Sequence, residues 1–251
     1  MLDCDITSFR KIYIFQLGTP PDNIRELQGD ISDWFYTALK DYVDYIEVIR
    51  VFEGAELPEP NPKCIAILTG SWAMVTDKEP WSERTAIWVR NAISEKMPIF
   101  GVCYGHQLIA YALGGEINYH SDGIEIGCKN VQLSPLAQKD PLFRQFPLHF
   151  SAYLTHRQTV TKLPGGALNI ASSQHDRHQI IRYNSTTIST QFHPEFTFEI
   201  AETLILKRCH KLQEDGLNIN SLRKELKSST PEARKLLINF IEAHFFKTDF
   251  L

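Results

Sequence analysis

Long apolar runs are missing: nowhere in these 251 residues does a hydrophobic stretch approach the roughly 20 residues that span a bilayer, which excludes a membrane-crossing helix. Regular cysteine spacing is missing too. Cys4, Cys64, Cys103, Cys128 and Cys209 are odd in number and form no C-x-x-C, so neither a disulfide framework nor a cysteine-rich metal or redox centre is expected. Basic residues are not clustered and the formal charge is −4, which leaves no footprint for nucleic acid or an anionic membrane; the expected partner is a small-molecule or peptide substrate. No G-x-G-x-x-G follows the first strand and no phosphate-cradling G-x-x-x-x-G-K-[ST] occurs, so no nucleotide cofactor is expected. The opening, MLDCDITSFRK, lacks the basic region and apolar stretch of a secretory leader, and a soluble, cytoplasmic protein is the expectation.

What is present is an alternation of short apolar runs and longer amphipathic segments. Residues 11–17, 45–51, 64–68 and 98–102 read as strands, with 31–42 and 82–96 as helices between them, a β-α-β-β-α-β rhythm. The runs CIAIL and IFGV are apolar throughout, as strands of a parallel sheet covered on both faces must be. In 82–96, Ala86, Val89 and Ile93 recur at helical spacing, Ser82 is placed to cap the start and Pro98 to stop continuation. From 124 to 192 the pieces become shorter and β-rich, divided by turns such as Leu163-Pro164-Gly165-Gly166, which predicts a mixed or antiparallel extension of the sheet. Residues 196–246 read as helical, apart from a polar stretch, 218–229, that suits a loop or exposed helix. Pro231 begins a last helix whose stripe of Ala233, Leu236, Leu237, Phe240, Ile241 and Phe245 is expected to pack into the core. No repeat or linker divides the chain, so one α/β domain is expected over residues 1–251, with a core of about 11–205 and a helical extension of about 206–251.

Two segments carry chemistry. In Gly101-Val102-Cys103-Tyr104-Gly105-His106-Gln107 a cysteine stands between a buried strand and a helix, with glycine two residues to either side. A nucleophile on so sharp a turn needs small neighbours for close backbone approach, and the N-terminus of the following helix favours a thiolate. Ninety residues on, Gln191-Phe192-His193-Pro194-Glu195 again leads from a strand towards a helix. Parallel strands open their C-terminal ends onto one rim, so His193 is placed to exchange the proton with Cys103 and Glu195 to orient the imidazole. Alone, Cys103 would read equally well as a small buried hydrophobe; the companion histidine and carboxylate favour a catalytic triad. His175 and His178 form an H-x-x-H without an evident third ligand, and they read as a turn and not a metal site.

The G-x-C-x-G-H-Q and H-P-E motifs resemble those of the class I glutamine amidotransferases, and the resemblance covers about residues 45 to 205. It implies a flavodoxin-like open sheet, mostly parallel, with helices on both faces. It also implies attack of the cysteine on a glutamine side-chain amide and a γ-glutamyl thioester that water then releases. By the same resemblance, the backbone N–H groups of Gly70 and Tyr104 form the oxyanion hole, although Thr69 stands where relatives have a first glycine. Gln107 and the stretch Thr155-His156-Arg157-Gln158 match substrate-gripping positions, Gln158 replacing the usual aspartate. Glu125-Ile126-Gly127 resembles an E-x-G that borders the pocket.

The expected activity is therefore glutaminase-type amide hydrolysis, with ammonia passed to a possible separate synthase subunit. A stand-alone γ-glutamyl peptidase, which the plant γ-glutamyl peptidases resemble in length and tail, is an alternative. A catalytically silent binding relative is another, and its signature would be a lost triad member; all three members are present.

Overall fold

The computed structural model describes residues 10–245; the expectations drawn from the opening segment and for Phe246 fall partly or wholly outside these. Among the described residues the elements run β1 (Ile12–Gln16), α1 (Asp22–Gln28), α2 (Ile31–Ala38), β2 (Ile46–Arg50), β3 (Ile65–Leu68), α3 (Pro80–Ser94), β4 (Ile99–Val102) and α4 (Tyr104–Ala112). They continue with β5 (Glu116–Tyr119), β6 (Glu125–Leu133), β7 (His149–His156), β8 (Gln158–Lys162), β9 (Leu168–Ser172), β10 (Ile180–Arg182) and β11 (Thr187–Thr190), and close with α5 (Phe198–Lys207), α6 (Cys209–Glu214), α7 (Ile219–Glu225) and α8 (Pro231–Phe245).

Nine strands form one sheet in the order β2-β1-β3-β4-β11-β10-β9-β6-β7, and β5 pairs with β8 in a small separate ribbon. From β2 to β11 every neighbouring pair is parallel; beyond β11 every pair is antiparallel. The antiparallel extension expected after residue 124 is this second half, dominated by the long β6–β7 pairing from Glu125↔His156 to Gln132↔His149.

Strand alternation divides the core between the two faces. Ile12 and Ile14 of β1, Ile65 and Ile67 of β3, and Phe100 and Val102 of β4 join a cluster with Trp34 and Phe35 of α2 and Leu236, Leu237 and Phe240 of α8. Phe15, Ala66, Leu68 and Ile99 point the other way, onto Val89 of α3 and Leu108 of α4. The last helix is thus core, as its stripe predicts: Phe240 meets Phe100 edge-on at 5.3 Å.

Three details differ from the pattern read in the sequence. The helix expected over 31–42 ends at Ala38 and gives way to a 3-10 segment, Lys40–Tyr45. A short helix, α1, precedes it, too brief to show a period. The third helix begins at Pro80, so Ser82 lies inside its first turn, and the Ser82 hydroxyl instead accepts the phenolic hydrogen of Tyr104 at 2.7 Å. The polar stretch 218–229, expected to be a loop or exposed helix, contains the mostly exposed helix α7, whose Leu222 is buried with Ile126, Ile205 and Leu212. None of the helices is long and apolar enough to cross a membrane among the described residues.

Candidate active site

Strand β4 ends at Val102, and the chain turns so sharply into α4 that Cys103 adopts φ +50°, a conformation costing a non-glycine residue about 1–3 kcal/mol. Its surroundings hold the strained turn closed. The Cys103 N–H donates to the Thr190 carbonyl at 2.8 Å, tying the end of β4 to the end of β11. A Cβ on Gly105 would stand 2.7 Å from Leu68 Cβ and 2.8 Å from the Leu68 carbonyl carbon. One on Gly101 would stand 2.8 Å from the Gly105 backbone, so both glycines are required for the turn to pack. His106 lies under it, fully buried, with Nδ1 2.8 Å from Ser189 Oγ of β11; burial pushes its pKa down to about 3, so the ring is neutral.

Beyond β11, the His193 N–H donates to the Tyr153 carbonyl of β7 at 2.9 Å, and Nδ1 lies 2.7 Å from Glu195 Oε1. With Nδ1 held by the carboxylate, Nε2 is buried without a partner of ordinary hydrogen-bond geometry. Burial opposes a charge on this ring, but Glu195 and Cys103 outweigh it and raise the pKa well above the ordinary imidazole value. His193 is therefore disposed towards the imidazolium form. From α8, Arg234 donates to the Glu195 and Phe196 carbonyls at 3.2 and 3.3 Å, pinning the loop that carries the histidine. Nothing in the sequence pointed to Arg234, because its partners are backbone oxygens.

Both residues line a cavity of about 250 Å³. Gly70, just past β3, approaches them so closely that a Cβ there would be 3.0 Å from His193 Cε1 and 3.7 Å from Cys103 Cβ. Neither the Gly70 nor the Tyr104 N–H donates to an acceptor among the described residues, so two donors remain available beside the sulfur. Thr69, in the place of a first glycine, does not obstruct this loop: its hydroxyl donates to the Gly70 carbonyl and accepts from Leu17 N–H.

The remaining expected residues also reach the cavity, though not all with free groups. Gln107 spends its amide N–H groups on the Gln158 carbonyl at 2.7 Å and Gln191 Oε1 at 3.0 Å. His156 has both ring nitrogens occupied, Nε2 by Glu125 at 2.9 Å and Nδ1 by the Gln158 carbonyl at 3.0 Å. Burial is outweighed there by Glu125 and Asp176, which raise its pKa. Glu125, expected to border the pocket, lies one layer behind it, shared among His156, Ser173 and Gln179. Gln158 donates to Thr76 Oγ1 at 2.5 Å and leaves Oε1 buried without a partner. Thr155 accepts from Arg208 at 2.7 Å through its hydroxyl, while its carbonyl lies 3.7 Å from Cys103 Sγ. Arg157 pairs with Asp215. Arg208, at the end of α5, was not foreseen; burial and the neighbouring Arg157 push its pKa down, so a carboxylate beside it would be welcome.

His178 spends Nδ1 on the Val160 carbonyl at 2.6 Å, so the H-x-x-H does not converge. His120, Asp122 and His175 bring three ligand atoms within 4.8 Å of one another, but the two rings stack face to face at 3.9 Å. Ligation by both would require their in-plane lone pairs to point at one ion, which stacking opposes.

Comparison with known proteins identifies the family. The family model for glutamine amidotransferase class-I matches residues 45–212, and the chain belongs to that family. A glutamine amidotransferase-like protein of Schizosaccharomyces pombe is 26% identical over 209 residues, 77% of this chain and 82% of that one. Gamma-glutamyl peptidase 2 of Arabidopsis thaliana is 24% identical over 237 residues, covering 92% of this chain and 94% of its own. Among solved structures, a glutamine amidotransferase from Thermotoga maritima superposes with a TM-score of 0.75 at 18% identity, over 94% of this chain and 99% of that one, a likeness of fold.

Proposed function

We propose that the chain is a cysteine-dependent amidohydrolase that cleaves a γ-glutamyl amide through a γ-glutamyl thioester. The observation that carries this reading is the order Cys103, His193, Glu195 at the cavity floor, with the His193 Nδ1–Glu195 Oε1 contact at 2.7 Å and two uncommitted backbone N–H groups beside the sulfur.

The thiolate of Cys103 attacks the δ-carbonyl carbon, and the N–H groups of Gly70 and Tyr104 receive the developing oxyanion. As the C–N bond breaks, the imidazolium of His193 gives its proton to the leaving nitrogen, and ammonia or an amine departs. Glu195 holds the ring in orientation and stabilises its charge. Water, deprotonated by the now neutral His193, then attacks the thioester; the C–S bond breaks, glutamate leaves, and thiolate and imidazolium are restored. Arg208 and Arg157 supply the positive side of the cavity for the substrate's α-carboxylate. The unpartnered Gln158 Oε1 offers a neutral acceptor for the α-ammonium, where the family's usual aspartate would offer a charge.

The test is turnover of glutamine, glutathione and other γ-glutamyl amides, scored by release of glutamate and of ammonia or amine, with Cys103→Ala as the blank. Cys103-dependent release from any of them supports the reading. Equal release by the Cys103→Ala protein, or silence of the wild type even with candidate synthase subunits added, overturns it.

A further inference from the structure

The cavity has two unlike walls. The side formed by Thr155, Arg157, Gln158 and Arg208 is polar and positive, and it belongs to the glutamyl end of the substrate under the function proposed above, on which this inference rests. The same cavity is also lined by Ile31, Trp34, Trp72, Met74 and Phe196, an apolar set without a charged side chain. Trp34, the one of these with a polar hydrogen bond, spends its indole N–H on the Gln28 carbonyl at 2.7 Å.

The aromatic wall adjoins the proton donor. Phe196 stacks on the His193 ring with centroids 3.9 Å apart and planes 15° apart. Trp34 meets Phe196 edge-on at 5.4 Å, and Trp72 meets Trp34 at 6.4 Å. His193 must face the departing nitrogen, so the row beside its ring is within reach of what that nitrogen carries. Ammonia would use none of it. The cavity-lining guanidinium groups, Arg157 paired with Asp215 and Arg208 bonded to Thr155, are the ones assigned above to the substrate's α-carboxylate. A carboxylate on the leaving amine would be desolvated against Trp34, Trp72 and Phe196, and the His193 imidazolium beside them is already paired with Glu195.

We infer that the preferred substrates are γ-glutamyl amides of uncharged, apolar amines, and that Trp72, with Trp34 and Phe196 behind it, sets this preference. Chemistry is unchanged: the amide C–N bond breaks, the proton passes from His193 to the amine, and an apolar amine leaves in place of ammonia. Trp72 is half-buried and packs on Trp34 at the edge of the core, so a melting curve of each Trp72 variant accompanies the kinetics.

The experiment measures kcat/KM for γ-glutamylisopentylamide, γ-glutamylmethylamide, γ-glutamylleucine and glutamine with wild type, Trp72→Ala and Trp72→Phe. Isopentylamine and methylamine are both simple primary alkylamines, so their ratio reports the wall and not leaving-group electronics. The expected isopentylamide-to-methylamide ratio is at least roughly tenfold. It should fall about tenfold in Trp72→Ala and return towards wild type in Trp72→Phe; γ-glutamylleucine should trail the isopentylamide. Turnover of methylamide and glutamine with no preference for isopentylamide, a ratio unmoved by Trp72→Ala, or γ-glutamylleucine as the best substrate overturns the inference and leaves the proposed function standing. Absence of Cys103-dependent turnover of all four overturns both.

Discussion

His193 Nδ1 lies 2.7 Å from Glu195 Oε1, two residues away on the same loop, and this contact leaves Nε2 as the ring's sole free nitrogen. The carboxylate also opposes the burial that would strip the ring of its proton, so the imidazolium persists above the ordinary imidazole range. Glu195→Gln keeps the shape and removes the charge. Burial then gains ground, His193 loses its proton at a lower pH, and the basic limb of the kcat/KM profile moves downward, with the maximum rate reduced roughly a hundredfold. A basic limb unmoved in Glu195→Gln would falsify the imidazolium assignment. Cys103→Ala should cost more, about 10⁴-fold or beyond, with an unaltered circular dichroism spectrum.

Gly105 is where backbone packing admits no side chain, since its added Cβ would meet the main chain of β3 and not a flexible tip. Gly105→Ala should lower stability by about 3 kcal/mol or prevent folding, because neither the Leu68 carbonyl nor the elbow can yield independently. Denaturant titration measures it; a variant within 1 kcal/mol of wild type would show that the turn relaxes.

At Gly70 the obstruction is different: the added Cβ would press on His193 Cε1 at 3.0 Å, the end of a side chain. Gly70→Ala should therefore fold with nearly wild-type melting temperature while kcat/KM falls roughly 10–100-fold from a displaced imidazole. Loss of stability matching the loss of rate would place the effect in the fold instead.

His106 is buried neutral, with its pKa pushed down to about 3 by burial. Between that value and the ordinary histidine range near 6.5, the unfolded chain takes a proton that the folded one refuses, so stability falls as pH falls through this window. His106→Asn, which retains a polar partner for Ser189, removes that dependence. Melting curves from pH 7 to 4 should decline less steeply for the variant; parallel declines would mean that other groups govern acid sensitivity.

The site's skeleton was legible because its parts are neighbours in the chain. Gly101, Cys103 and Gly105 fall within five residues, and His193 and Glu195 within three, so strand end, turn and helix start are written consecutively. The helical stripe from Ala233 to Phe245 was likewise legible, since core burial imposes a 3.6-residue period on any helix it covers. Boundaries were less so: α3 starts two residues before Ser82 because Pro80 at the first helical position fixes a favourable φ and loses no needed N–H.

The strand and helix periods, the elbow and the H-P-E pair are local patterns, and residue order alone is enough to write them. The rest of the cavity is assembled from residues far apart: Arg208 reaches Thr155 across 53 positions, Arg234 reaches the Glu195 carbonyl across 39, and Glu125 reaches His156 across 31. Trp34, Trp72 and Phe196 come together only because β1, β3, β4 and β11 stand side by side, bringing the segments that follow them to one rim. Strand order is a property of the packed sheet with no periodic trace along the chain, and so the wall beside His193 was invisible until the sheet was formed.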